Sequence, residues 1–228
     1  MQAPPPWKLK GNGYIFLYHF PISFVEKFGF LSDYQATRFN GDFMGTVMLV
    51  DYETSAVGPY HELLFVPGRL NFDKKKVFSI SKIYVSSQDS VENGIANWGI
   101  PKELADFSIT KPTVKETIVE VLIEGKTFFK VHLRDGSFKF PISTQFFPLK
   151  LAQKLGDDLL ITNSPAKGKA TFAKLVNIEI DDSHFPPISQ LKPLSVLAVS
   201  DFEMEFPEPV ILSNYFTKKN SELLMIPI

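Results

Sequence analysis

The segment NWGIPKELADF, residues 97–107, sets one amine, Lys102, directly after Pro101 and between apolar residues. A lysine so placed points to one kind of chemistry. A neutral amine attacks a carbonyl carbon and forms an imine. At neutral pH the free amine is protonated and inert, so a Schiff-base lysine needs desolvation or a neighbouring cation to lower its pKa. Ile95, Trp98, Ile100 and Leu104 are expected to keep water from Lys102. The next residue is an acid, Glu103, and its contact would hold the proton on. For imine chemistry Glu103 must therefore point elsewhere. A plainer alternative stays open. A lysine just past a helix C-terminus suits the negative end of the dipole, and it would pair at the surface with Glu103 or Glu92.

Glu62 is the second candidate. It lies in GPYHELLFV, an apolar stretch that reads as a strand. Alternation puts Glu62 in phase with Tyr60 and Leu64. Facing inward, it could act as general acid or base, or orient a substrate carbonyl. Facing outward, it would be a solvated strand residue.

Other chemistries find little support. His19, His61, His132 and His184 show no paired ligand spacing, so no metal site is expected. With no cysteine, disulfides, thiolate zinc sites and cysteine nucleophiles are excluded. Phosphate-binding glycine motifs and a GxSxG elbow are absent. Charges nearly cancel, 24 Lys plus Arg against 25 Asp plus Glu, which argues against a nucleic-acid partner. The longest basic run, Lys74-Lys75-Lys76, reads as a solvated turn. The opening MQAPPPWKLKG lacks the apolar core of a signal peptide, and no apolar run is long enough to span a bilayer. A soluble cytoplasmic protein is expected.

The elements that must position these residues are mostly strands. Residues 13–20, 45–52, 58–66 and 78–86 read as strands, with Gly11-Asn12-Gly13 as a turn before the first. Residues 22–33 read as a short helix. A second helix is expected over 89–98, capped by Asp89 with Glu92 three residues on, and ended by Gly99 and Pro101. Residues 117–123 and 127–133 form a hairpin about Glu124-Gly125-Lys126, and Asp135-Gly136 predicts another leading into 138–142. Further strands fall at 169–180, 202–206 and 210–212, giving about ten in all. Trp7 docks the proline-rich start onto the body. The 22 Phe against 2 Trp suit a thick β core or an apolar cavity.

Two of these stretches resemble a known family. Gly94…Ile100-Pro101-Lys102…Leu104 looks like the active-site segment of acetoacetate decarboxylase. Gly58-Pro59-Tyr60-His61-Glu62 resembles that family's Gly-x-Tyr-x-Glu stretch, and the two stand in the family's order. Pro4-Pro5-Pro6-Trp7 through Tyr14 is similar to the start of its divergent members. The resemblance implies a mainly β (α+β) fold, a curved β-sandwich or cone-shaped barrel around an apolar cavity, with few short helices, as a single domain over 1–228. It implies a lyase without cofactor or metal, in which an activated lysine is the nucleophile. Lys102 would condense with a keto acid or other carbonyl substrate, the imine would serve as an electron sink while CO2 leaves, and hydrolysis would free the ketone. Glu62 takes the place of the active-site glutamate. Tyr60, Ile95, Trp98 and Ile100 are expected to line the substrate. The family also implies a homo-oligomer.

The departures lie in charge. The family's second lysine is Glu103 here, and its Arg-Glu pair is Ile95-Ala96. Its N-terminal arginine falls near Lys10 or Asn12, and a further acid falls near Val47. Such a site suits a larger, less charged carbonyl compound and aldol or dehydration chemistry. The alternative is a protein that holds an apolar small molecule in the same cavity without chemistry.

Overall fold

The computed structural model describes residues 1–41, 44–73, 75–146 and 149–217. The chain begins with β1 (Trp7–Tyr18), passes helices α1 (Ile22–Phe28) and α2 (Asp33–Ala36), and returns as β2 (Gly45–Thr54) and β3 (Tyr60–Val66). β4 (Arg69–Phe72), β5 (Lys75–Phe78) and β6 (Lys82–Val85) lead to α3 (Gln88–Trp98) and β7 (Lys102–Leu104). β8 (Asp106–Thr113), β9 (Glu116–Ile123), β10 (Lys126–Asp135) and β11 (Phe140–Ser143) follow. β12 (Lys150–Leu155), β13 (Asp158–Asn163), β14 (Ala166–Ile180), β15 (Ser195–Phe206) and β16 (Val210–Leu212) complete the described chain. The fold is mainly β, as expected. None of the described helices is long and apolar enough to cross a membrane.

Eleven strands join in one sheet, ordered β7-β6-β3-β2-β1-β15-β14-β10-β9-β8, with β11 also on β14. A five-stranded sheet runs β16-β13-β12-β5-β4. The barrel-like sheet is not closed by hydrogen bonds: among the described residues, β7 and β8 are the two ends of the large sheet. Yet only Ala105 separates them in the chain, so the sheet curls until its ends meet at one buried residue.

At β2 and β3 the curled sheet is buried on both faces. Alternate residues of β2 and β3 divide between two cores, as the period of a strand requires. Val47, Leu49, Leu63 and Phe65 join Phe16, Tyr18, Phe129 and Phe185 in one core. Tyr52, Tyr60, Leu64 and Val66 join Trp7, Ile83, Trp98 and Ile100 in the other. Each large side chain so buried contributes about 1.5–3 kcal/mol. The second core carries α3, because Trp98 packs edge-on against Trp7 at 5.0 Å and against Phe206 at 4.9 Å.

Several expectations are corrected. Gly11-Asn12-Gly13 is no turn but the middle of β1, where its register shifts against β2 and β15. A Cβ on Gly11 would lie 2.0 Å from the Asp51 carbonyl oxygen, so the glycine admits the close approach of β2. Asp135-Gly136 makes no hairpin: β11 pairs with β14, and β10 pairs with a later part of the same long strand. The helix expected over 22–33 stops at Phe28, where Gly29 caps it, and α2 begins only at Asp33. β12 and β13, absent from the sequence expectation, form a hairpin across Gly156-Asp157. Lys75 and Lys76 are exposed at the start of β5 rather than in a turn, and Lys74 lies outside the described residues.

Candidate active site

β6, α3 and β7 form a β–α–β unit, with β6 and β7 parallel and Ile83 opposite Lys102. Ser87, not Asp89, caps the helix: its Oγ accepts from the Ser90 backbone N–H at 3.3 Å. At the other end Gly99 takes the left-handed conformation, and the Ile100 N–H donates back to Gly94 O. The chain then turns through Pro101 and enters the sheet at Lys102.

On the sheet, Lys102 and Glu62 share a face. Lys102 stands beside Ile83, Ile83 beside Leu64, and Glu62 beside Val85. This phase is the one alternation along β3 predicts. The side chains of Lys102 and Glu62 are each only 5% exposed. Lys102 Nζ donates to Glu62 Oε2 at 3.0 Å, to Ser90 Oγ at 3.0 Å and to Tyr60 Oη at 3.4 Å. The Tyr60 ring lies 5.0 Å from the amine. Tyr52 Oη donates to Glu62 Oε1 at 3.1 Å, so both carboxylate oxygens are held. Gly94, one helical turn after Ser90, lies flush against the lysine stem; a Cβ there would sit 2.6 Å from Lys102 Cδ.

Burial pulls the Lys102 pKa down, but the Glu62 carboxylate and Tyr60 outweigh it, and the amine stays above its ordinary value. At neutral pH it is an ammonium whose three protons meet three acceptors. Burial also pushes the Tyr60 phenol up to about 12, against the pull of Lys102. Tyr52 is raised further by burial and by the facing Glu62, so both phenols are neutral. The arrangement is a buried, fully hydrogen-bonded ion pair between an amine and a carboxylate.

Of the expected site residues, Lys102, Glu62 and Tyr60 meet at one point. Trp98 and Ile100 are buried in the adjoining core, and the Trp98 indole N–H donates to Pro207 O. Ile95 is 40% exposed and Leu104 is 52% exposed; both turn outward, so neither walls off the amine. Tyr60, Ser90 and Gly94 enclose it instead. Glu103 points away and pairs with Lys82 at 2.6 Å. Lys10 pairs with Glu203 and Asn12 with Glu53, both on the exposed side, while Val47 lies in the opposite core. Two clefts, of about 440 and 390 Å³, are lined by other residues.

Ser90 and Tyr52 carry no sequence expectation. For Ser90 a signal existed: it stands four residues before Gly94, so two small residues share the helix face that meets the lysine. Tyr52 follows from the β2–β3 register, which sets it opposite Tyr60.

Comparison with known proteins bears on this site. Residues 41–208 match the family model of acetoacetate decarboxylase. The crystal structure of acetoacetate decarboxylase from Legionella pneumophila superposes with a TM-score of 0.70 at 12% identity, over 93% of this chain and 90% of that one. The enduracididine biosynthesis enzyme MppR, in complex with pyruvate, gives 0.65 at 14% identity, over 94% and 93%. An acetoacetate decarboxylase-like enzyme from Sphingomonas wittichii gives 0.64 at 12% identity, over 93% and 94%. At these identities the likeness is one of fold. Among curated protein sequences no match was found.

Proposed function

This chain belongs to the acetoacetate decarboxylase family, and from that premise we propose that Lys102 is the Schiff-base lysine of a cofactor-free lyase. The observation that carries the proposal is the contact of Lys102 Nζ with Glu62, 3.0 Å apart and buried together. Glu62 takes one proton from the ammonium. The neutral nitrogen then attacks the carbonyl carbon, and the π pair moves to oxygen. A second proton passes from nitrogen to that oxygen, and Glu62 returns its own proton as water leaves. One proton stays on the iminium, and Glu62 ends as the carboxylate it began as. Tyr52 keeps Glu62 aimed at the amine throughout.

The substrate class follows from charge. Besides Lys102 itself, the groups that touch the amine are one carboxylate and two hydroxyls. The positions that resemble the family's other cations are Glu103, Ile95 and the outward Lys10 or Asn12. This favours a neutral carbonyl compound over a small carboxylate, and aldol or dehydration chemistry over decarboxylation of a keto acid. Incubation with acetoacetate, pyruvate and larger ketones, followed by borohydride and intact mass measurement, tests it. An adduct at Lys102 that vanishes in Lys102→Ala supports the proposal; turnover retained in that variant rules it out.

The tight hold on the ammonium favours a second function, an apolar ligand bound without chemistry. Native mass spectrometry of the purified protein separates the two: an unmodified apolar ligand in stoichiometric amount supports binding. We further infer one domain over 1–228 that works as a homo-oligomer in the cytoplasm. The exposed Phe138 and Phe172 support the assembly, as apolar surface a partner copy would cover.

A further inference from the structure

The ammonium of Lys102 has three N–H directions, and the site offers one acceptor along each: Glu62, Ser90 and Tyr60. Imine formation gives these directions three fates. One proton leaves through the base and the electron pair it vacates forms the bond to carbon, a second proton leaves for the carbonyl oxygen, and one remains on the iminium. Glu62 is the only carboxylate among the three partners, so the first proton is its share. The second is the proton held by the weaker of the two remaining partners. Tyr60 Oη stands at 3.4 Å and Ser90 Oγ at 3.0 Å, so the loose corner is that of Tyr60. Ser90 is also the better fixed. Its residue is fully buried, its backbone N–H is held by the Ser87 cap, and Gly94 seats the lysine stem one turn further on.

We propose that Ser90 is a third catalytic group: its hydroxyl accepts the one N–H that Lys102 keeps in the iminium, while the N–H facing Tyr60 is the one given up to the carbonyl oxygen. The assignment rests on the Schiff-base function proposed above. No atom changes hands at Ser90; its bond to Nζ persists while two protons depart with the carbonyl oxygen as water. A hydrogen bond to a charged group is lost when Ser90 is removed, and the iminium loses its proton more readily. A neutral imine is the poorer electrophile.

The test uses acetone as probe and borohydride as trap, followed by intact mass across a pH series from about 6 to about 10. Wild type is expected to give a reduced adduct at Lys102. Ser90→Ala is expected to trap about ten- to hundred-fold more slowly, with trapping fading at lower pH than in wild type. Tyr60→Phe removes a partner of the ammonium alone, so it is expected to move the onset of trapping to lower pH and to leave the fading at high pH where wild type has it. Ser90→Cys, of similar volume and weaker acceptor strength, is expected to follow Ser90→Ala, and it decides the matter if the alanine variant does not fold. A Ser90→Ala protein that traps at the wild-type rate with the wild-type pH profile overturns the assignment. So does loss of trapping in Tyr60→Phe with Ser90→Ala unaffected. Absence of any adduct in wild type instead overturns the Schiff-base function, and with it the role of Ser90.

Discussion

Substituting Gly94 by alanine separates stability from reactivity. The new Cβ would lie 2.6 Å from Lys102 Cδ and 2.9 Å from Cε. Carbon atoms rest at about 3.5–4.0 Å, so the lysine stem must move by about 1 Å. Overpacking of this kind costs about 1–3 kcal/mol. Alanine returns about 1 kcal/mol in helix propensity. The net loss is then about 0–2 kcal/mol, or about 0–8 °C in Tm for a chain of this length. Reactivity suffers more, because moving the amine by about 1 Å from Glu62 and Ser90 costs about a hundred-fold in rate. Calorimetry gives the first quantity, and the rate of borohydride trapping with a ketone gives the second. Gly94→Ala that traps as fast as wild type would refute the proposed dependence on the position of the stem.

Three further substitutions probe the surroundings. Glu62→Gln leaves a buried ammonium without its counter-ion, so urea unfolding at pH 7 is expected to show a loss of about 3–5 kcal/mol. In wild type the folded Lys102 pKa lies above 10.5, so the stability from this pair is fully present below that pH and declines as pH rises through the folded value; the same titration series checks the sign. Glu103→Ala removes an ion pair in which Glu103 is half exposed, and should cost less than about 1 kcal/mol with trapping unchanged; a large change in trapping would mean that Glu103 reaches the amine. Asn93 accepts from the Ala3 N–H and donates to Met1 O, strapping the first residues to α3. Asn93→Ala should cost about 1–3 kcal/mol, with faster proteolytic cleavage near the N-terminus as the direct check.

Local rules reach the backbone of Lys102 and Glu62, while their burial was left open and the family resemblance singled the two out. Alternation along β3 fixes the face of Glu62, and the Gly99–Pro101 break fixes where Lys102 enters the sheet. The Glu124-Gly125 turn was legible for the same reason: both residues take positive φ, 50° and 74°, as a tight hairpin needs. What local rules missed was set by distant strands. Gly11 and Gly13 look like a turn until β2 is seen pressing on them. Asp135-Gly136 has the chemistry of a hairpin, but β14 is long enough to pair with β10 and β11 in succession, and this non-local pairing prevails. Ser90 reads as a polar residue in the first turn of a helix. Only the crossover that lays α3 over the start of β7 turns it toward the amine.

The meeting of β7 and β8 at Ala105 makes the large sheet a belt fastened by peptide bonds where a barrel would have a hydrogen-bonded seam. Such a fastening cannot slip in register, since no ladder runs across it. It is also pinned sideways, because the Ala105 backbone N–H donates to Val85 O at 3.0 Å and ties the fastening to β6. Lys102 stands at the start of the strand beside it, with its amine enclosed. Because β7 pairs with β6 and β6 with β3, Lys102 and Glu62 ride on one hydrogen-bonded block of the belt. A strain at the fastening is therefore shared by the ammonium and the carboxylate that holds it, and their separation is kept.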